Sequence, residues 1–229
     1  MSGTARLLLV RHGITAWNLE GRYTSRSDVA LHADAHEALD ATAALLRGER
    51  IDRVLSSPLR RCVETAEFLR ARGDIAAPLE LLDDLREMDF GEFEGRSRAE
   101  LAASHLAEAY EHWMRVHDDF PTAPGGEAWA DVSARAARVL AHAHTGTTLV
   151  VSHGYLLRTL IVTALADRPS GATREILLGN GGVTELRVGS SGSWELVSHD
   201  VGGVFPERLR HAEMGNSTGT NPRGGGSNG

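Results

Sequence analysis

Two histidines, each followed by glycine and each closing an apolar run, are the residues of this chain best suited to chemistry. His12 stands in Arg11-His12-Gly13 after Leu7-Leu8-Leu9-Val10, and His153 stands in Ser152-His153-Gly154 after Thr148-Leu149-Val150-Val151. An imidazole is a nucleophile when neutral, and its ordinary pKa of about 6.5 leaves it largely so at neutral pH. A neighbouring cation lowers that pKa further, and Arg11 supplies one. The planar guanidinium fork suits phosphate oxygens, so the pair of strand ends reads as a site for a phosphoryl group. In that site one ring attacks and the other helps to bind.

Two further segments fit the same chemistry. Ile51 to Ser56 reads as a strand, and Ser57-Pro58 then reads as an N-cap with proline at the first helical position. Arg60 and Arg61 fall in the first turn of that helix, against its dipole, which a bound anion explains better than helix stability does; solvation accounts for one of the two. The acidic stretch Leu85 to Gly95 contains Glu87, Glu92 and Glu94. A carboxyl group beside an anionic ligand has its pKa raised, so Glu87, just before a glycine-containing turn, is the candidate proton donor to a leaving oxygen. Glu92 and Glu94 are expected to face water. Cys62, the only cysteine, is read as a small buried hydrophobe.

Taken together, Arg11-His12-Gly13-x-Thr15-x-x-Asn18, Ser57-x-Leu59-x-Arg61-x-x-x-Thr65-Ala66, Glu87 with Gly91-Glu92-Phe93-Glu94-Gly95, Gly125-Gly126-Glu127, and Ser152-His153-Gly154 resemble the histidine phosphatase superfamily, phosphoglycerate mutase-like branch. The resemblance runs in order from about residue 6 to about residue 200. It implies that His12 is the nucleophile, held by Arg11, Arg61 and His153 around the phosphoryl oxygens, and that Glu87 is the general acid. It also implies that Asn18 contacts phosphate and that Thr24 lines the substrate pocket. With Ser25, Gly154 and the Gly125 loop, these are the expected substrate-binding positions.

The chemistry itself needs in-line placement and neutralisation of the equatorial oxygens, which two guanidiniums and an imidazolium provide without a metal or cofactor. Three positions depart from the family pattern: Ile14 where Glu or Gln is usual, Ser25 where glycine is usual, and Ala35 where glycine opens a helical segment. Phosphatases and mutases share this apparatus. Between Glu87 and Gly125 the chain offers one helix-like stretch, roughly Ser97 to His117, and lacks the longer arginine- and tyrosine-bearing insertion in which mutases resemble one another. A mutase must exclude water, whereas a phosphatase admits it. The favoured reading is therefore a phosphomonoesterase acting on a small phosphorylated metabolite. The alternatives are a bisphosphoglycerate-dependent mutase and a non-catalytic phospholigand-binding module, the latter disfavoured because binding alone needs neither nucleophile nor acid.

The elements that must position these groups follow from the apolar pattern. Leu7 to Val10 reads as a strand buried on both faces, and helical spacing appears at His36 to Leu46, Leu59 to Arg72, Asp131 to Ala143 and Leu156 to Ala166. Alternating strands and helices imply an α/β fold: a doubly wound, mostly parallel sheet flanked by helices on both faces. Ligands bind outside the carboxyl ends of such strands, so both His-Gly ends can meet in one crevice. Val183 to Val188 and Trp194 to Ser198 read as a late edge hairpin. A chain of 229 residues, 41% hydrophobic, fits a single domain over residues 1–212, with a Gly/Ser/Asn-rich tail at 213–229 expected to be disordered. A net charge of −7 without a basic block argues against nucleic acid, and no apolar run is long enough to span a membrane. One cysteine and no signal-peptide pattern at Met1 to Ala5 place the expectation in the cytoplasm, with a homodimer left open. His32 and His36 read as a solvated turn rather than metal ligands, and His105, His112, His142 and His144 as surface residues. Trp113 and Trp129 read either as a lid over the pocket or as core.

Overall fold

The computed structural model describes residues 4–115, 123–143, 145–165 and 175–206. The expected tail, the domain limit at 212, His144 and the distal ends of the stretches projected to reach His117 and Ala166 lie outside those residues. Strand β1 (Ala5–Arg11) is the hub of a six-stranded sheet containing β2 (Arg53–Ser56), β3 (Leu79–Leu81), β4 (Gly146–Ser152), β5 (Val183–Val188) and β6 (Trp194–Val201). The order is β3-β2-β4-β1-β5-β6. The first four are mutually parallel, and β5 and β6 add an antiparallel hairpin at one edge.

Alternation along β1 serves two cores, because successive side chains point to opposite faces. Leu7 and Leu9 enter the core shared with helices α5 (Ala107–Arg115), α6 (Trp129–Ala141) and α7 (Gly154–Ala164). Leu8 and Val10 enter the core shared with α2 (Ala35–Leu46) and α3 (Arg60–Gly73). Both cores are packed from aliphatic and aromatic side chains, and this is why the run at 7–10 has no polar residue. Trp113 is buried in the first core, which resolves it as packing rather than lid. No helix of the described residues is long and apolar enough to cross a membrane.

Local differences from the sequence reading have identifiable causes. The stretch from Ser97 splits into α4 (Arg98–Ala102), opened by a Ser97–Glu100 capping box, and α5. Helix α3 starts at Arg60 with Leu59 as its cap residue, and the cap on the Arg60 N–H is supplied by Asp28 at 2.7 Å from a distant loop. Ser57 is thus not the helix cap; its hydroxyl has another task. A Cβ on Gly13 would crowd Leu39, Leu31 and Ala35, so its smallness serves packing against α2. Ala35 and Ile14, both departures from the family pattern, are buried in that same core.

Candidate active site

The register of two parallel strands brings the histidines together. Along β1 and β4 the pairing runs from Ala5 opposite Gly146 to Arg11 opposite Ser152, so His12 and His153 leave adjacent strands at the same level. The His12 N–H continues the ladder by donating to the Ser152 carbonyl at 2.9 Å. After β1 the chain turns toward the α2 face and after β4 toward the α7 face. That divergence opens a crevice at the carboxyl ends of the two strands. The rings meet edge to face with centroids 5.3 Å apart.

His12 is buried, and its Nδ1 lies 2.7 Å from the Gly13 carbonyl oxygen. A carbonyl only accepts, so Nδ1 carries the proton and Nε2 keeps its lone pair. Burial, then Arg61, then Arg11 hold the His12 pKa well below the ordinary histidine value. His153 has the opposite tautomer: Arg61 Nε donates to its Nδ1 at 3.2 Å, and Nε2 donates to Ser57 Oγ at 2.8 Å. Burial and the charge of Arg61 likewise push its pKa well down, so it is a neutral ring in this site rather than the imidazolium expected from sequence. Cys62 Sγ packs 3.4 Å from His153 Nε2, and burial raises its thiol to about 12, which leaves it unreactive.

Glu87 sits at the N-terminus of α7. Its Oε1 accepts from the N–H groups of Met88 and Leu156, both at 3.0 Å, and Oε2 accepts from Tyr155 N–H at 3.1 Å. Burial nevertheless raises its pKa against the pull of those donors and of Arg61. Desolvation, rather than the repulsion inferred from sequence, is the larger cause.

Arg11, His12, Asn18, Thr24, Glu87 and Gly154 all line one pocket. Asn18 Oδ1 accepts from Thr15 N–H and Thr15 Oγ at 3.0 Å, and from Asn180 Nδ2 at 3.3 Å, which leaves the Asn18 amide NH2 as a donor toward the pocket. A Cβ on Gly154 would come 3.6 Å from Arg11 Nε and 3.8 Å from a Glu87 oxygen, so its lack of a side chain keeps that wall open.

Arg61, His153 and Ser25 lie one layer behind this surface. The Arg61 guanidinium is fully buried, with Nη1 donating to Ser27 O at 2.8 Å and Nη2 to Ser25 O at 2.9 Å. Glu94, expected in water, instead accepts from the N–H groups of Ser25 and Ser27 at 2.8 and 3.0 Å. Ser25 therefore contributes its backbone to a braced loop, and its buried hydroxyl makes no hydrogen bond. Arg60, as expected for one of the pair, is exposed and bonded to Glu64.

Sequence reasoning missed several pocket residues. Tyr155 and Arg158 share a face of α7 with Gly154, a pattern of i, i+1 and i+4 that a helical reading of the segment after the second His-Gly could have found. Arg22, Tyr23, Phe90 and Arg98 complete the outer wall. Asn180, which also donates to the His12 carbonyl at 2.9 Å, carries no local signal because both of its partners are distant in sequence.

The chain is similar to known proteins. The profile of the histidine phosphatase superfamily (branch 1) matches residues 7–201. A bifunctional protein of Mycobacterium tuberculosis is 37% identical over 171 residues, 72% of this chain; the chain spans only 45% of that relative's length. A 2,3-bisphosphoglycerate-dependent phosphoglycerate mutase of Mesorhizobium japonicum is 33% identical, covering 76% of this chain and 88% of the mutase. The crystal structure of the alpha-ribazole phosphatase from Shigella flexneri superposes with a TM-score of 0.76 at 27% identity, covering 87% of this chain and 98% of that one.

Proposed function

Because the chain belongs to the histidine phosphatase superfamily, we propose that it hydrolyses the phosphomonoester of a small metabolite through a phosphohistidine on His12. The observation that carries this reading is the pairing of a lone pair on His12 Nε2 with a buried carboxyl of raised pKa, Glu87, in one pocket. In the first step Nε2 attacks phosphorus, the ester P–O bond breaks, and Glu87 gives its proton to the departing alkoxide. In the second step the Glu87 carboxylate takes a proton from water as the water oxygen attacks phosphorus and the P–N bond breaks. Inorganic phosphate leaves and His12 is restored.

Arg11 and the Asn18 amide are placed to meet the charge on the equatorial oxygens, with Gly154 leaving them room. Arg61 acts from behind: its charge adds to burial in keeping both imidazoles neutral, and its bonds to Ser25 and Ser27 hold the loop that carries Thr24. His153 backs the nucleophile ring. None of these steps calls for a metal ion. The likeness to an alpha-ribazole phosphatase and the wall of Tyr23, Phe90 and Tyr155 support a small phosphorylated metabolite with an apolar or planar portion as substrate.

The experiment is labelling with a radioactive phosphomonoester followed by quenching under conditions that preserve phosphohistidine. Label on wild type and none on His12→Ala, with turnover lost, is the expected result. Near wild-type turnover by His12→Ala would overturn the assignment. A mutase reading has one specific support, the relative of that name. Against it stands the short passage from Glu87 to Gly125, in which the described elements are α4 and α5 alone after a single 3-10 turn at Gly91–Phe93. Incubation with 3-phosphoglycerate and catalytic 2,3-bisphosphoglycerate separates the two: phosphate release favours hydrolysis, and isomerisation without release favours the mutase.

A further inference from the structure

The backbone on both sides of Glu87 is gripped by a single ion pair that does not line the pocket. Arg135, on α6, forms a two-point bond with Glu127: Nε to Oε1 and Nη2 to Oε2, both at 2.8 Å. The remaining end of the guanidinium, Nη1, donates to the carbonyls of Asp84 at 2.8 Å and Arg86 at 2.9 Å. Glu127 in turn holds residue 89 at both backbone groups, accepting from Asp89 N–H at 3.2 Å and donating its own N–H to the Asp89 carbonyl at 2.9 Å. The pair thus fixes residue 86 on one side of Glu87 and residue 89 on the other. Both partners have side chains only 13% exposed, so the bonds are shielded from water and their geometry is well defined.

The seam around this clamp is closed by glycines. A Cβ on Gly91 would run into the Pro124 carbonyl oxygen, and one on Gly126 would meet the Asp89 carbonyl oxygen. The segment 89–91 and the turn 123–127 therefore lie backbone against backbone. An arrangement that commits a partly buried ion pair and two glycines to holding one loop needs a reason beyond stability, since exposed and buried pairs alike are on balance weak stabilisers. The residue so bracketed is the one whose carboxyl must reach a leaving oxygen.

We propose that Glu127 and Arg135 are positioning residues for the Glu87 carboxyl, setting its aim for proton transfer without touching the substrate. The proposal rests on the phosphatase reading above. A misplacement of the acid penalises esters whose leaving group needs a proton and spares those whose leaving group does not. Phosphoryl transfer from p-nitrophenyl phosphate expels a stable phenolate, whereas transfer from glycerol phosphate expels an alkoxide.

The test compares kcat/KM for these two compounds in wild type, Arg135→Lys and Glu127→Gln, with thermal melts to establish folding. Arg135→Lys keeps the charge and loses the fork. The expected result is a loss of roughly tenfold or more on glycerol phosphate with less than about threefold on p-nitrophenyl phosphate, the same selectivity expected of Glu87→Gln. Should one variant fail to fold, the other carries the comparison. Equal losses on the two compounds, or no loss on either, overturn the proposal. Wild type that neither hydrolyses p-nitrophenyl phosphate nor takes up label on His12 overturns the phosphatase reading instead.

Discussion

A proton on Nδ1 of His12, held by one carbonyl oxygen, leaves the lone pair on Nε2, the atom that attacks in the proposed mechanism. In the proposed mechanism the pH dependence follows from two groups that must be in opposite states. His12 must be neutral, and its pKa lies well below the ordinary histidine value, so activity survives into mildly acidic solution and falls only as pH drops through that depressed pKa. Glu87 must be protonated for the first step, and its raised pKa means that the acid form is lost as pH climbs through it. The kcat/KM profile for an alkyl phosphate is expected to be bell-shaped and centred on the acid side of neutrality. Glu87→Gln is expected to lower that constant by about 10²- to 10⁴-fold. For an aryl phosphate the loss is small, measured by initial rates across pH. Asn180 is tested by Asn180→Leu, which removes the donor to the His12 carbonyl and to Asn18 Oδ1. Leaving the buried His12 carbonyl without that partner is expected to cost about 1–3 kcal/mol, readable in urea unfolding, with KM for phosphate esters raised.

Elements act here through their ends. The seven-residue ladder between β1 and β4 sets the level of both histidines, and Ser57 arrives at that level because β2 pairs with β4 from Arg53 opposite Thr148 to Ser56 opposite Val151. Its hydroxyl then accepts from His153 Nε2 and from Leu59 N–H, joining the end of β2 to the second histidine. The Glu87 segment is held between α6 and the start of α7, so neither helix alone defines its position. Gly91 is the most restrictive point of that segment: its φ of 48° is left-handed, and the Pro124 carbonyl occupies the place of a Cβ. Gly91→Ala is expected to destabilise the protein by at least about 2 kcal/mol, measured by chemical denaturation, because backbone strain and a collision add at one site.

At the scale of the whole molecule, a net charge of −7 surrounds a pocket whose wall carries Arg11, Arg22, Arg98 and Arg158. The cationic character is local, which suits a small anion better than a polyanion. Stability inherits the site's electrostatics. His12 and His153 both have native pKa values well below that of the unfolded chain. Below about pH 6.5 the unfolded state therefore takes up protons that the native state refuses, and stability falls as pH falls through that window toward the native values. Melting temperature is expected to drop between pH 7 and pH 5, and His153→Asn is expected to flatten that slope. A slope unchanged in the variant would contradict the assignment of a buried neutral ring at 153.

Much of this protein was legible without coordinates. The runs at 7–10 and 148–151 predicted the two strands whose ends meet, since a strand buried on both faces reads as a near-continuous apolar stretch. The helix periods and the late hairpin were readable for the same reason: each element's contact with the core is written in its own local pattern. His12 and Glu87 were singled out by residue type, and the structure brings both to one pocket. What lay beyond the sequence is whatever depends on partners far along the chain. The neutral state of His153, the withdrawal of Arg61 behind the pocket, the bracing of the 25–27 loop by Glu94, and the grip of Glu127 and Arg135 on the Glu87 segment arise from side chains meeting across the sheet. Local pattern encodes burial, but tautomer, charge state and aim are set by desolvation and by hydrogen bonds to distant groups, which exist only once the chain has folded.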